Sequence, residues 1–327
     1  MTKKILHLKN TDPYFNLATE EYILRNFKED FFLLWQSENA VIIGKNQNAI
    51  AEINHPFVRK NNICVARRLS GGGTVFHDMG NINFSFIWNQ SDANNFHSDD
   101  YNQIIINILE KLGIKLTTSS HHDILIGSRK ITGSAEGISK GRILHHGTLL
   151  FNSCIENLKN AIETDLSKFT DKAISSRHSE VTNISDHIKS KINIDEFTDF
   201  LIENIRKEFS GTEFYELTEE DQKAIEKLRK EKYTQWDWIY GKSPGYRFKN
   251  EMEIKNGKIT FSLTVKKGII IDSQWHGDIS ETLSSELTAQ LMNNRHNIYE
   301  IEKSLKSVEK QISRENISFQ EFLNKFE

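Results

Sequence analysis

From residue 81 to residue 88 the chain alternates, with Ile82, Phe84, Phe86 and Trp88 on one side of an extended segment and Asn83 and Ser85 on the other. A period of two predicts a half-buried strand. Further on the period changes. Ile104, Ile105, Ile108, Leu109 and Leu112 recur at helical spacing, predicting an amphipathic helix over 101–112 that Gly113 ends. Residues 16–25 read as a helix carrying Glu20 and Glu21. Residues 31–35 and 40–44 read as short strands around a polar turn. Two strands, 124–126 and 130–132, flank Gly127-Ser128, and 148–151 supplies another. Asp195 is positioned to cap a helix bearing Phe197, Leu201, Ile205 and Phe209, and Thr218 with Asp221 forms a capping-box pair before the next helix. Between 241 and 248, Gly, Pro and Gly break the pattern. Beyond that point 259–265 and 268–272 resemble paired strands, and 283–291 and 319–326 resemble helices, the latter led by Ser318 with Glu321 in the box position. The pattern predicts an α/β or α+β catalytic domain over 1–244 and a small strand–helix accessory domain over 245–327.

Length supports that division, since 327 residues exceed the common single-domain size. With 37% hydrophobic and 27% charged residues, a globular chain is expected rather than a disordered one. The formal charge of −3 gives no overall basic field to argue for nucleic acid. The start of the chain lacks the apolar region of a signal peptide, and no run approaches a membrane span, so a cytoplasmic protein is expected. Cys64 and Cys154 are the only cysteines, too few for a disulfide scaffold or a structural zinc cluster.

Candidate chemistry concentrates in two places. Arg67-Arg68-Leu69-Ser70-Gly71-Gly72-Gly73-Thr74-Val75-Phe76-His77-Asp78 joins two arginines to three glycines. Bare amides and nearby guanidinium groups can hold phosphate or another anion closely, although a glycine run also suits a tight surface turn. The second cluster runs from His121 to Gly137 and continues through His145-His146-Gly147-Thr148-Leu149-Leu150-Phe151.

Together with Asn16-Leu17-Ala18-Thr19-Glu20-Glu21, Gly44-Lys45-Asn46-Gln47-Asn48, Gly127-Ser128-Arg129-Lys130-Ile131-Thr132-Gly133-Ser134-Ala135 and Trp236-Asp237-Trp238-Ile239-Tyr240-Gly241, these clusters resemble the lipoate-protein ligase family. The resemblance is strong over the first three quarters of the chain and weaker beyond. It implies an α+β protein whose large mixed-sheet domain is related to biotin ligases. It also implies a reaction in which ATP and lipoate give lipoyl-AMP and pyrophosphate, with magnesium, before the lipoyl group passes to a lysine of an acceptor protein. Glycine cleavage H protein and the lipoyl domains of 2-oxoacid dehydrogenases are the acceptors implied. Octanoate is an alternative substrate, and a monomer is expected.

Residue by residue, the resemblance makes Lys130 the group that contacts both the acyl carboxylate and the α phosphate. Both steps concentrate charge on oxygen, which a positioned ammonium stabilises. Arg68, Gly73, Thr74, Val75, Phe76, His146 and Gly147 fall where the family holds the nucleotide. The acyl group is assigned to Leu17, Arg67, Gly72, Gly73, Phe84 and Lys130, with core packing as the alternative for Leu17 and Phe84. Asp123 is the candidate magnesium ligand, though an Asp there also suits a turn or strand cap. Two other functions remain compatible with the residues: an acyltransferase using a pre-activated or carrier-bound donor, for which Cys154 is a tempting thiol, and a binding module without catalysis.

Overall fold

The computed structural model describes residues 3–89, 98–120, 122–176, 179–254, 257–314 and 317–327; the motif residue His121 lies outside them. Contacts divide the chain into two compact units. The first comprises Met1–Lys45, Asn61–Ile162 and Ser176–Gln235.

Its strands are β1 (Lys3–His7), β2 (Asp30–Trp35), β3 (Ala40–Ile43), β4 (Cys64–Arg67), β5 (Val75–His77), β6 (Asn81–Asn89), β7 (Thr117–Thr118), β8 (Ile124–Ile126), β9 (Arg129–Lys130), β10 (Ser134–Ser139) and β11 (Arg142–Leu150). The main sheet has the order β10–β11–β6–β2–β1, closed by a short strand at Glu213–Phe214. It is mixed: β1 runs parallel to β2, whereas β2, β6, β11 and β10 are antiparallel neighbours. Two smaller sheets, β4–β3–β5 and β7–β8–β9, carry the ends of the glycine loop and the Lys130 hairpin.

The strand β6 departs from the half-buried expectation, because all but its last residue is buried. Ile82, Phe84, Phe86 and Trp88 enter a core with Tyr101, Ile105, Ile108, Leu149 and Phe197. Alternation sends Asn83 and Ser85 to the opposite face. That face is covered too, by helix α1 (Pro13–Asn26), whose Glu20 accepts a hydrogen bond from Ser85 Oγ at 2.5 Å. Asp12 caps α1 by accepting the Phe15 N–H, and Pro13 opens the first turn, where no amide donor is needed.

Local expectations fare unevenly. Thr218 and Asp221 form the expected capping box, as do Ser318 and Glu321. The helix expected to start at Asp195 is instead capped by Asn193, boxed with Glu196, over Ile194–Glu208. The strand expected over 130–132 ends at Lys130, and the 148–151 strand extends back to Arg142. β10 has no apolar run to announce it; it forms because six of its residues pair with β11 in register.

The second unit comprises Asn46–Lys60, Glu163–Ser175 and Trp236–Glu327. An antiparallel sheet of Phe169–Asp171, Tyr246–Ile254, Gly257–Lys266 and Ile269–Gly277 packs its alternate residues against the Glu281–Leu291 and Ile298–Leu305 helices. Ile50 joins this core. Among the described residues no helix is long and apolar enough to cross a membrane.

Candidate active site

The residues of the site belong to the first unit. The glycine loop is shaped by arginine. Arg68 is buried, and its guanidinium donates from Nε to Ser70 Oγ (3.0 Å), from Nη1 to Ile42 O (3.0 Å), and from Nη2 to Gly71 O and Gly73 O (2.6 Å each). Burial pushes this guanidinium down to about 10, while the Glu20 carboxylate favours its charged form. It therefore stays protonated at neutral pH. Arg67, fully enclosed, donates to Gly44 O at 2.8 Å and Lys45 O at 3.0 Å, and the Lys45 N–H returns to Ser70 O at 2.8 Å. Arg68 thus orders the glycine loop directly, and Arg67 orders the Gly44-Lys45 segment that bonds to it.

Gly72 has φ +80°, and a Cβ there would lie 3.0 Å from Arg68 Nη2 and 3.4 Å from Ala135 Cβ. Glycine is required twice over, by the left-handed backbone and by the guanidinium beside it. Gly71 has open space where a Cβ would be, and Gly73 lies against Ser176, whose Oγ accepts the Thr74 N–H at 2.8 Å.

Lys130 sits at the edge of the β8–β9 hairpin. Its Nζ lies 2.8 Å from Asp123 Oδ1, and both side chains are partly exposed. Its backbone is fixed from outside the hairpin: the N–H donates to Glu180 O at 2.8 Å and the carbonyl accepts from Thr182 N at 3.0 Å. Gly133 lies beside both the lysine and the next strand, since a Cβ there would make ordinary contact with Lys130 Nζ at 3.4 Å and Val75 Cγ1 at 3.7 Å. The fold thus brings Lys130 to the strand that leaves the glycine loop.

Other residues take structural places. Phe84 is fully buried in the core, its ring passing over Gly147, where a Cβ would lie 2.6 Å from Phe84 Cζ. Leu17 and Phe76 are buried as well. Asp78 accepts the Gly80 and Cys154 N–H groups, holding the turn before β6. The paired histidines part company on β11: His145 stacks on Tyr101, whereas His146 joins Ser70 and Glu20.

That last group was not visible as a site in the sequence. Ser70 Oγ is 2.6 Å from His146 Nε2, and His146 Nδ1 is 2.9 Å from Glu20 Oε1. A signal did exist, in two polar residues on the inner period of β6 and an acidic pair on an otherwise buried helix. Without knowing that α1 covers β6, the two cannot be joined.

Asp123 is a single carboxylate at this edge of the site. Asp123 has an ammonium, rather than further carboxylates, beside it. Among the described residues no three His, Cys, Asp or Glu side chains converge on a point. Magnesium commonly binds through few carboxylates and the substrate's phosphates, a requirement that one carboxylate can meet.

Residues 12–206 match the lipoyl protein ligase A/B catalytic domain, and residues 243–326 match the bacterial lipoate protein ligase C-terminus. The chain belongs to the lipoate-protein ligase family. It is 40% identical to the lipoate-protein ligase LplJ of Bacillus subtilis over 272 residues, which is 82% of each chain. It is 39% identical to lipoate–protein ligase 1 of Staphylococcus aureus over 271 residues, again 82% of each. Among solved structures it resembles Plasmodium falciparum LipL1 in complex with lipoate (26% identity, TM-score 0.63, 98% of this chain and 97% of that one). It also resembles a lipoate-protein ligase A bound with ATP (26% identity, TM-score 0.61, 74% and 99%). The bipartite ligase of Thermoplasma acidophilum, described with its E2 lipoyl domain, matches at 25% identity and TM-score 0.62 over 74% and 97%.

Proposed function

We infer that this protein is an ATP-dependent lipoate-protein ligase. The lipoate carboxylate attacks the α phosphorus of ATP, the bond to pyrophosphate breaks, and lipoyl-AMP forms. The neutral amine of an acceptor lysine then attacks the acyl carbonyl and AMP leaves. The observation that carries this reading is the Lys130 ammonium and Val75, which follows the arginine-shaped glycine loop, both lying beside Gly133 in a chain that matches the ligase catalytic domain. Lys130 meets the oxygens on which charge develops, a role worth several kcal/mol when donors are pre-positioned.

We assign the nucleotide to Gly73, Thr74, Val75, Phe76, His146 and Gly147 with Lys130, and the acyl group to the neighbourhood of Leu17, Gly72 and Phe84. Arg68, expected at the nucleotide, and Arg67, expected at the acyl group, shape the site from behind, Arg68 through Gly71 and Gly73 and Arg67 through Gly44 and Lys45. Asp123 directs Lys130 and is the carboxylate available to the nucleotide's magnesium. Catalysis is assigned to 1–244 and an accessory role to 245–327, supported by the separate match of 243–326. The acceptors are lipoyl domains of 2-oxoacid dehydrogenases or glycine cleavage H protein. The protein acts as a monomer in the cytoplasm, a setting in keeping with its free Cys64 and Cys154.

Exchange of labelled pyrophosphate into ATP, dependent on lipoate, tests the first step. A mass gain on a lipoyl domain tests the second. Transfer from a supplied lipoyl-AMP without exchange would reduce the protein to a transferase, and absence of both would leave only binding.

A further inference from the structure

The buried chain of groups behind the glycine loop has a direction that its donors and acceptors fix. Ser85 Oγ–H donates to Glu20 Oε1 at 2.5 Å, so this oxygen is an acceptor. His146 Nδ1 lies 2.9 Å from the same oxygen and must be its second donor. With a proton on Nδ1, His146 presents Nε2 to the Ser70 hydroxyl, 2.6 Å away. Ser70 Oγ in turn accepts Arg68 Nε–H at 3.0 Å. The remaining Arg68 bonds end on Ile42, Gly71 and Gly73 carbonyls. A carboxylate and a guanidinium, both buried, are thereby joined through His146 and Ser70 rather than by contact.

The acidic pair on α1 is divided in purpose. Glu21 turns away to Arg25 one turn along the same helix, and to Lys232 and Tyr233, which tie the helix to its neighbour. Glu20 alone faces the sheet and the chain to Arg68.

We propose that Glu20 is a positioning residue for adenylation, fixing the Nδ1–H tautomer of His146 and, through Ser70, the Arg68 guanidinium that shapes Gly71–Gly73. The proposal rests on the ligase reading for its effect on rate, but not for its effect on the histidine. Glu20 touches no substrate. It holds a loop whose carbonyls would otherwise be free to rotate. A buried polar chain with every link satisfied rigidifies what it joins, and removing one end leaves the rest unpaired.

The test uses the full chain labelled with ¹⁵N-histidine. Nitrogen-resolved NMR of the substrate-free protein should show His146 as the Nδ1–H tautomer, with Nε2 unprotonated. Glu20→Gln keeps the shape and an acceptor oxygen while removing the charge. It should leave the tautomer in place and raise the KM for ATP in pyrophosphate exchange about tenfold, with kcat within about threefold. Glu20→Leu removes the acceptor, and His146 should shift to the Nε2–H form with exchange reduced at least a hundredfold. A wild-type His146 carrying its proton on Nε2 would overturn the proposal. So would kcat and KM for ATP unchanged from wild type in folded Glu20→Gln, which decides the matter even if Glu20→Leu does not fold. A merely structural Glu20 would lower the melting temperature and leave both the tautomer and the kinetics of the folded protein unmoved. Wild-type protein with the expected tautomer but no lipoate-dependent exchange would instead refute the ligase reading and leave the chain of bonds standing.

Discussion

The ammonium of Lys130 is held 2.8 Å from the carboxylate of Asp123, across the hairpin that joins β8 to β9. A single carboxylate on a partly exposed hairpin contributes little stability, typically under about 1 kcal/mol. It does aim the lysine, and an anionic substrate can take its place without a large penalty. Lys130→Ala should therefore fold normally and lose adenylation and transfer by about 10²–10³. Asp123→Asn should melt within a few degrees of wild type and lose roughly tenfold, because the ammonium survives but is no longer directed. Exchange rates of both variants, each checked by circular dichroism, decide the order of effects. Near-wild-type turnover in Lys130→Ala would remove it from the chemistry.

Gly72 should tolerate no side chain without loss of activity. Its φ of +80° strains any L-residue, and the Cβ would press on Arg68 Nη2 at 3.0 Å. Gly72→Ala should cost about 1–3 kcal/mol in urea unfolding, and Gly72→Val should abolish exchange while leaving most of the fold intact, since β-branching adds crowding. Normal exchange in the valine variant would make the loop an ordinary turn.

Arg68→Lys is not a conservative change. One ammonium cannot reach Ile42 O, Ser70 Oγ, Gly71 O and Gly73 O together. Lost hydrogen bonds to a charged group should destabilise the first unit by about 2–3 kcal/mol, and the KM for ATP should rise with it. An unaltered KM in a destabilised protein would separate loop stability from nucleotide binding.

The second unit should be acid-labile. His296 is buried, with its Nε2 donating to Phe326 O at 3.0 Å and its Nδ1 accepting the Tyr246 hydroxyl at 2.7 Å. Burial lowers its pKa from 6.5 to about 4. Between those values the unfolded chain binds more protons than the folded one, so stability is full above 6.5 and falls as pH drops. By pH 4 the loss should reach on the order of 3 kcal/mol. Urea unfolding across this range, followed by tryptophan fluorescence, should show the decline, and His296→Gln should lessen it, the rest coming from His55, which burial also lowers to about 4. An equal slope in the variant would assign the acid sensitivity elsewhere.

A chain cut after Pro244 should be poorly soluble. The Phe169–Asp171 strand pairs with Tyr246–Ile254, and Ile50 packs in the core those strands close. Removing residues 245–327 leaves an unpaired strand edge and exposed apolar side chains. Sedimentation and soluble yield check this; a monomeric, fully active fragment would show that both excursions fold without the sheet.

What the sequence determined by itself is local. The caps at Thr218 and Ser318 could be read because each spans three residues. The glycine loop, the Lys130 hairpin and the apolar period of β6 were legible for the same reason, and they were enough to suggest the ligase family. The tertiary structure decided what lies against what. Period two shows that Asn83 and Ser85 share a face, but not that α1 covers it. Ser85 meets Glu20 across 65 positions and Ser70 meets His146 across 76. The same holds for Arg68, whose charge suggested a phosphate until its neighbours were known. In a buried site, polar side chains must satisfy one another first. Which partners they find depends on chain crossings that no short-range period encodes.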